Sequence, residues 1–130
     1  MITSLDHLVL TVSDLDATVR FYCDGLGMEA RRFGPNRERV ALHYGDQKIN
    51  LHEVGKEFEP KADRPTPSSG DLCFLTDEPV NTLKAKLEAD GLAVFEGPVE
   101  RTGAKAKLLS LYLRDPDGNL IEIANEIEHS

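Results

Sequence analysis

The stretches Ile49-Asn50-Leu51-His52-Glu53 and Asn119-Leu120-Ile121-Glu122-Ile123 decide how this chain is read. Each is a short β-branched and aliphatic run, the composition of a strand. Each also carries one metal-competent side chain, His52 or Glu122, where a strand would normally place another Leu or Val. His7 sits in a third such run, Asp6-His7-Leu8-Val9-Leu10. Two histidines and a carboxylate held on strands have the composition of a metal site.

Working outward, His7 to Val12 alternates as a strand, and Ser13-Asp14-Leu15-Asp16 supplies a helix N-cap with acidic residues in the first turn. Leu15, Val19, Tyr22, Cys23 and Leu26 follow at helical spacing, with Gly25 and Gly27 to stop the helix. Strands are predicted at about Met28 to Phe33, Arg39 to Tyr44 and Lys48 to Val54, separated by Gly34-Pro35-Asn36 and Gly45-Asp46 turns. The polar, proline-bearing segment Gly55 to Ser69 reads as a linker. The pattern then restarts with a strand at Leu72 to Thr76 and a helix opened by Pro79 that carries Val80, Leu83 and Leu87 on one face. Strands follow at about Ala93 to Glu96, Leu108 to Arg114 and Asn119 to Ala124, with Asp115-Pro116-Asp117-Gly118 as the turn before the last. The order is βαβββ twice: module 1 at about 5–54, a linker at about 55–69, and module 2 at about 70–126, within one domain.

An offset of 64 lays His7 on Asp71 and Gly27 on Gly91, and an offset of 70 lays His52 on Glu122. The difference of six residues is assigned to a loop within Gly97 to Lys107. Strand alternation then places His7, His52, Asp71 and Glu122 on one kind of face, opposite the larger aliphatic rows. A carboxylate such as Glu122 amid Leu120, Ile121 and Ile123 needs a partner, because an unpaired buried charge is costly. Ser110, Tyr112 and Arg114 share a face opposite Leu109, Leu111 and Leu113, and Arg101 lies in the glycine-flanked segment. Arg101 and Tyr112 are the candidate substrate-binding residues, the arginine suited to a carboxylate or phosphate.

The chain has 130 residues, enough for one domain with a real core. Its net charge of -8 works against nucleic acid and anionic membrane surfaces as partners and favours a small molecule or protein. Without a signal-like start or an apolar run of membrane length, a cytoplasmic protein is expected. Cys23 and Cys73 lack the spacing of a zinc or redox motif and read as reduced thiols.

These features resemble the vicinal oxygen chelate superfamily, which includes glyoxalase I, extradiol dioxygenases, fosfomycin-resistance enzymes and bleomycin-resistance proteins. The resemblance runs through His7-Leu8-Val9-Leu10, Arg20-Phe21-Tyr22 with Leu26-Gly27, Lys48-Ile49-Asn50-Leu51-His52, and Arg114-Asp115-Pro116-Asp117-Gly118-Asn119-Leu120-Ile121-Glu122. Within the superfamily the chain is most similar to small bacterial proteins related to glyoxalase domain-containing protein five, through Phe58-Glu59-Pro60-Lys61, Asp71-Leu72-Cys73-Phe74 and Gly97-Pro98-Val99-Glu100-Arg101-Thr102-Gly103. It implies an α+β fold, two βαβββ modules forming a curved eight-stranded sheet around a metal-binding cleft. His7 and Glu122 match the first and last ligand positions. The chain departs from glyoxalase I at His52, in place of a glutamate, and at Asp71, in place of a histidine.

Imidazoles with carboxylates suit one divalent ion of Mn, Fe, Co, Ni or Zn, with open positions for substrate. The ligands implied are His7, His52 and Glu122, with Asp71 as a fourth. A glyoxalase-type lyase or isomerase would chelate its substrate through two adjacent oxygens and use Glu122 as the base that removes a proton next to a carbonyl. Two alternatives are an extradiol-type ring-cleaving dioxygenase and a non-catalytic antibiotic-binding protein of the bleomycin-resistance type. A homodimer is expected by analogy with the superfamily.

Overall fold

In the computed structural model, which describes residues 1–129, the chain divides into two units, Met1–Ser69 and the residues from Gly70 onward. Each unit carries one four-stranded mixed sheet, so the fold is α+β with eight strands. Unit 1 runs β1 (His7–Val12), α1 (Leu15–Val19) continued by a π-helical turn (Arg20–Gly25), β2 (Glu29–Phe33), β3 (Arg39–Tyr44) and β4 (Gln47–Glu53). Unit 2 runs β5 (Asp71–Leu75), α2 (Val80–Ala89), β6 (Val94–Thr102), β7 (Ala106–Arg114) and β8 (Leu120–His129). The strand orders are β1-β4-β3-β2 and β5-β8-β7-β6, so the first and last strands of each unit pair in parallel and the rest antiparallel. The predicted repeat is thus the observed topology. Among the described residues, no helix is long and apolar enough to cross a membrane.

Alternation builds each core. In unit 1, Leu10 and Val12 of β1, Ile49 and Leu51 of β4, and Val40 and Leu42 of β3 are all buried and share one face. In unit 2, Leu111, Leu113, Ile121 and Ile123 do the same, with Val80 and Leu87 of α2. Asp14 caps α1, its carboxylate accepting from the Ala17 N–H at 3.0 Å. The expected single helix differs after Val19. Widening to a π turn lets neighbouring Phe21 and Tyr22 both face inward, their rings packed edge-on at 4.9 Å.

Two features of unit 2 shape its sheet, of which the first differs from expectation. The segment assigned to a loop is the continuation of β6, which pairs with β7 as far as Thr102 and puts Arg101 on a strand opposite Leu108. Its register shifts between Val94 and Val99. Gly97 sits there with φ +111, and a Cβ on it would collide with the Ser110 carbonyl oxygen, so the bulge requires glycine. The second is the Asp115-Pro116-Asp117-Gly118 turn. The buried Asp115 carboxylate accepts from the Asp117 and Asn119 N–H groups at 2.9 Å each and from the Asn119 amide at 2.8 Å. Asn119 in turn accepts from the Gly70 N–H at 2.7 Å, tying the turn to the start of β5.

Asp115→Ala would strand three donors, those of Asn119 in a fully buried residue. We expect it to lower unfolding free energy by about 3 kcal/mol in urea titrations. A loss under about 1 kcal/mol would show that the turn does not anchor β5 and β8.

Candidate functional site

In unit 2 the register, not the sequence spacing, assembles the site. Glu122 stands between Cys73 on β5 and Tyr112 on β7, and Tyr112 stands opposite Glu96 on β6. The half-buried Glu122 carboxylate accepts from the Ser110 hydroxyl at 2.6 Å, and both Tyr112 and Cys73 hydrogen-bond to it. This answers the partner requirement set by its apolar sequence neighbours. Burial first, and then the Glu122 charge, push the Cys73 thiol up to about 11. At neutral pH it is a neutral S–H, not a nucleophilic thiolate. Burial is also the main cause raising Tyr112, with the Arg101 hydrogen bond opposing it. Arg101 donates to the Tyr112 hydroxyl at 3.0 Å and to Glu96 at 2.8 Å.

Cys73, Arg101, Tyr112 and Glu122 line a recess of about 420 Å³, walled by Leu75 and Leu108 and closed at one end by the Gly103–Lys105 turn. Glu122, Tyr112 and Arg101 are therefore brought together. Asp71 is exposed, one register pair short of Glu122 on the same face, and does not line the recess. Sequence reasoning missed Ser110 and Cys73 as partners of Glu122. Their signal was a small polar residue at an inward position of an otherwise leucine-rich strand and a thiol on the face shared with Asp71.

In unit 1, His7 and His52 share the open face of the sheet but not a row. His7 pairs with Lys48, whereas His52 pairs with Thr11. Four residues of parallel strand put them about 13 Å apart along the sheet. The two imidazoles therefore stand in different rows of the same sheet face. The same pairing revises the repeat. Lys48 opposite His7 matches Leu120 opposite Asp71, an offset of 72, so the counterpart of Glu122 is Asn50 and not His52. The offset of 70 came from matching side-chain chemistry where register decides.

The two histidines differ in setting. His7 is exposed, and its Nδ1 lies 2.8 Å from the Asp6 carboxylate, an arrangement that directs the Nε2 lone pair outward when the ring is neutral. His52 is buried at 8% exposure, with the Phe58 ring packed edge-on against it at 5.7 Å. Burial holds its pKa below the ordinary 6.5, with Arg39 and Lys61 acting in the same direction and Glu57 opposing. Among the described residues, no three His, Cys, Asp or Glu side chains are gathered as a metal would require.

The family model described as Glyoxalase/Bleomycin resistance protein/Dioxygenase superfamily matches residues 4–123. The chain is 54% identical to virulence protein STM3117 of Salmonella typhimurium over 98% of this chain and 87% of that one. The crystal structure of that protein superposes with a TM-score of 0.94 over 98% of this chain and 99% of that one. Identity to the glyoxalase domain-containing protein RDO1 of Mycosarcoma maydis is 52% over 95% of this chain and 69% of that one. A lactoylglutathione lyase from Agrobacterium tumefaciens is 25% identical, with a TM-score of 0.73 over 96% and 95% of the two chains.

The His52 setting has a sign that can be measured. Its folded pKa is lower than its unfolded one, so its contribution to stability is complete above 6.5 and is lost as pH falls from there through the folded pKa. We expect unfolding free energy to fall more steeply below pH 6.5 in the wild type than in His52→Gln. Equal slopes in urea titrations at matched pH values would place His52 in water in the folded state.

Proposed function

Because the chain belongs to the glyoxalase/bleomycin resistance protein/dioxygenase superfamily, we propose that it is a divalent-metal-dependent enzyme of glyoxalase type, a lyase or isomerase acting on a small molecule with two adjacent oxygens. The observation that carries this reading is Glu122: a half-buried carboxylate, oriented by Ser110 and facing a recess large enough for a small substrate. The name of the Agrobacterium relative, a lactoylglutathione lyase, is consistent with that class of chemistry.

His7 in unit 1 and Glu122 in unit 2 are each proposed as metal ligands, with Asp71 as a further candidate. His7 fits by its Asp6 contact, the carboxylate–histidine pairing that orients metal-bound imidazoles. Glu122 fits as a hard oxygen donor whose orientation is already fixed. His52, in another row from His7, is left out of this ligand set. The ring-cleaving alternative needs both histidines on one iron, and the register argues against it. When bound, such an ion supplies Lewis-acid stabilisation of charge on the substrate oxygens. The chain's own residues do the rest. Glu122 takes the proton from the carbon beside the carbonyl, and Ser110 keeps its carboxylate aimed during that transfer. Arg101, now paired with exposed Glu96, exchanges that partner for a substrate carboxylate or phosphate, and Tyr112 fixes the guanidinium. A homodimer in the cytoplasm belongs to the same proposal, the dimer by analogy with the superfamily.

Elemental analysis of protein purified without chelator tests the ligand set. We expect about one Mn, Fe, Co, Ni or Zn per chain, retained in His52→Ala and lost in His7→Ala and Glu122→Gln. Asp6→Ala should weaken metal affinity by roughly tenfold. Loss of the ion in His52→Ala with retention in His7→Ala would reverse the assignment. Absence of any transition metal, with no thermal shift on adding Mn, Ni, Zn or anaerobic Fe(II), would overturn the enzyme reading.

A further inference from the structure

Unit 1 has a recess of its own, of about 400 Å³, in which His52 and Lys61 are the titratable side chains. Its apolar walls are Val9 on β1 and Pro60, Ala62 and Pro65 of the segment after β4, with the Thr11 hydroxyl beside His52. The segment read as a linker between the modules packs against the open face of the unit 1 sheet, where Phe58 lies on His52 and carries the Arg39 guanidinium 4.5 Å from its ring centroid.

The electrostatics here favour an anion. Burial is the main influence on His52, and among the charges near it Glu57 favours protonation while Arg39 and Lys61 oppose it. The Arg39 Nε is buried and has no hydrogen-bond partner, so a cation is kept partly desolvated beside the recess. The Asn50 Oδ1, one register pair from His52 on the same face, is likewise buried without a partner. Oxygen and nitrogen of an amide exchange by a flip, which would present an N–H donor in its place. The carboxylates nearby are committed or mobile. Glu57 accepts from the Gly55 N–H at 2.9 Å, and Glu59 meets Lys61 at 2.9 Å from a side chain that is 72% exposed. An exposed pair of that kind contributes little and opens readily.

We propose that this recess binds a small organic oxyanion, a carboxylate or phosphate ester on a compact apolar body. Lys61 releases Glu59 to meet the charge. Thr11 and the Nε2 or Nδ1 hydrogen of His52 complete the polar contacts, and Val9, Pro60, Ala62 and Pro65 pack the apolar body. This site does not depend on a metal, so its test is separate from that of the glyoxalase reading.

The experiment is an NMR titration of the full chain, in EDTA, with benzoate, phenyl phosphate and benzyl alcohol as probes. Benzoate or phenyl phosphate should shift the amides of Lys61, Ala62 and His52 saturably and bind at least roughly tenfold tighter than benzyl alcohol. The preferred anion identifies the oxyanion class. Lys61→Met, at an exposed position, should keep the thermal midpoint and remove that preference. Ala62→Trp, which fills the recess, should abolish the shifts of all three probes. Equal binding of benzyl alcohol, unchanged affinity in Lys61→Met, a requirement for added metal, or shifts confined to residues after Ser69 would each overturn the proposal.

Discussion

Parallel pairing of the first and last strand of each unit is the constraint on which the rest depends. It decides which side chains stand in one row, and a slip of one residue would turn every one of them to the opposite face. The buried aliphatic rows hold the register in place: Leu10 beside Leu51 in unit 1, Leu72 beside Ile121 in unit 2. With those rows fixed, Glu122 has no choice but to stand between Cys73 and Tyr112. The same logic sets His52 beside Thr11 and away from His7. Packing on one face thereby determines chemistry on the other.

Much of this was legible from alternation alone. The strands at 39–44 and 108–114, the turn at Asp115-Pro116-Asp117-Gly118 and the repeated element order all follow from patterns with a period of two and from turn residues. The faces of His7, His52 and Glu122 were legible for the same reason. Which of them share a row was not, because rows depend on pairing between distant segments. Matching His52 to Glu122 by chemistry missed the pairing that matches Asn50 to Glu122. The bulge at Gly97 hid the strand character of the residues after it, and Phe21 next to Tyr22 concealed a π turn within a helical pattern.

The two recesses place ionisable groups in opposite settings. Glu122 is surrounded by neutral donors, a serine hydroxyl, a phenol and a thiol that stays protonated well above neutral pH. Such a setting keeps a carboxylate oriented while leaving it chemically available. For His52, burial disfavours the charged form, with Glu57 opposing and Arg39 and Lys61 assisting. A neutral imidazole both donates and accepts, which suits recognition of oxygen-bearing ligands.

The Gly97 bulge links strand geometry to this chemistry. Its backbone lies against the Ser110 carbonyl, and the Ser110 hydroxyl is the group that orients Glu122. A side chain at position 97 would therefore displace β7 at a residue that touches the carboxylate. Its effect would reach Glu122 before it reached the core, which lies on the other face of the strand. Selection for activity would then treat a glycine with no functional group as though it were part of the catalytic apparatus, and selection for solubility alone would scarcely register it.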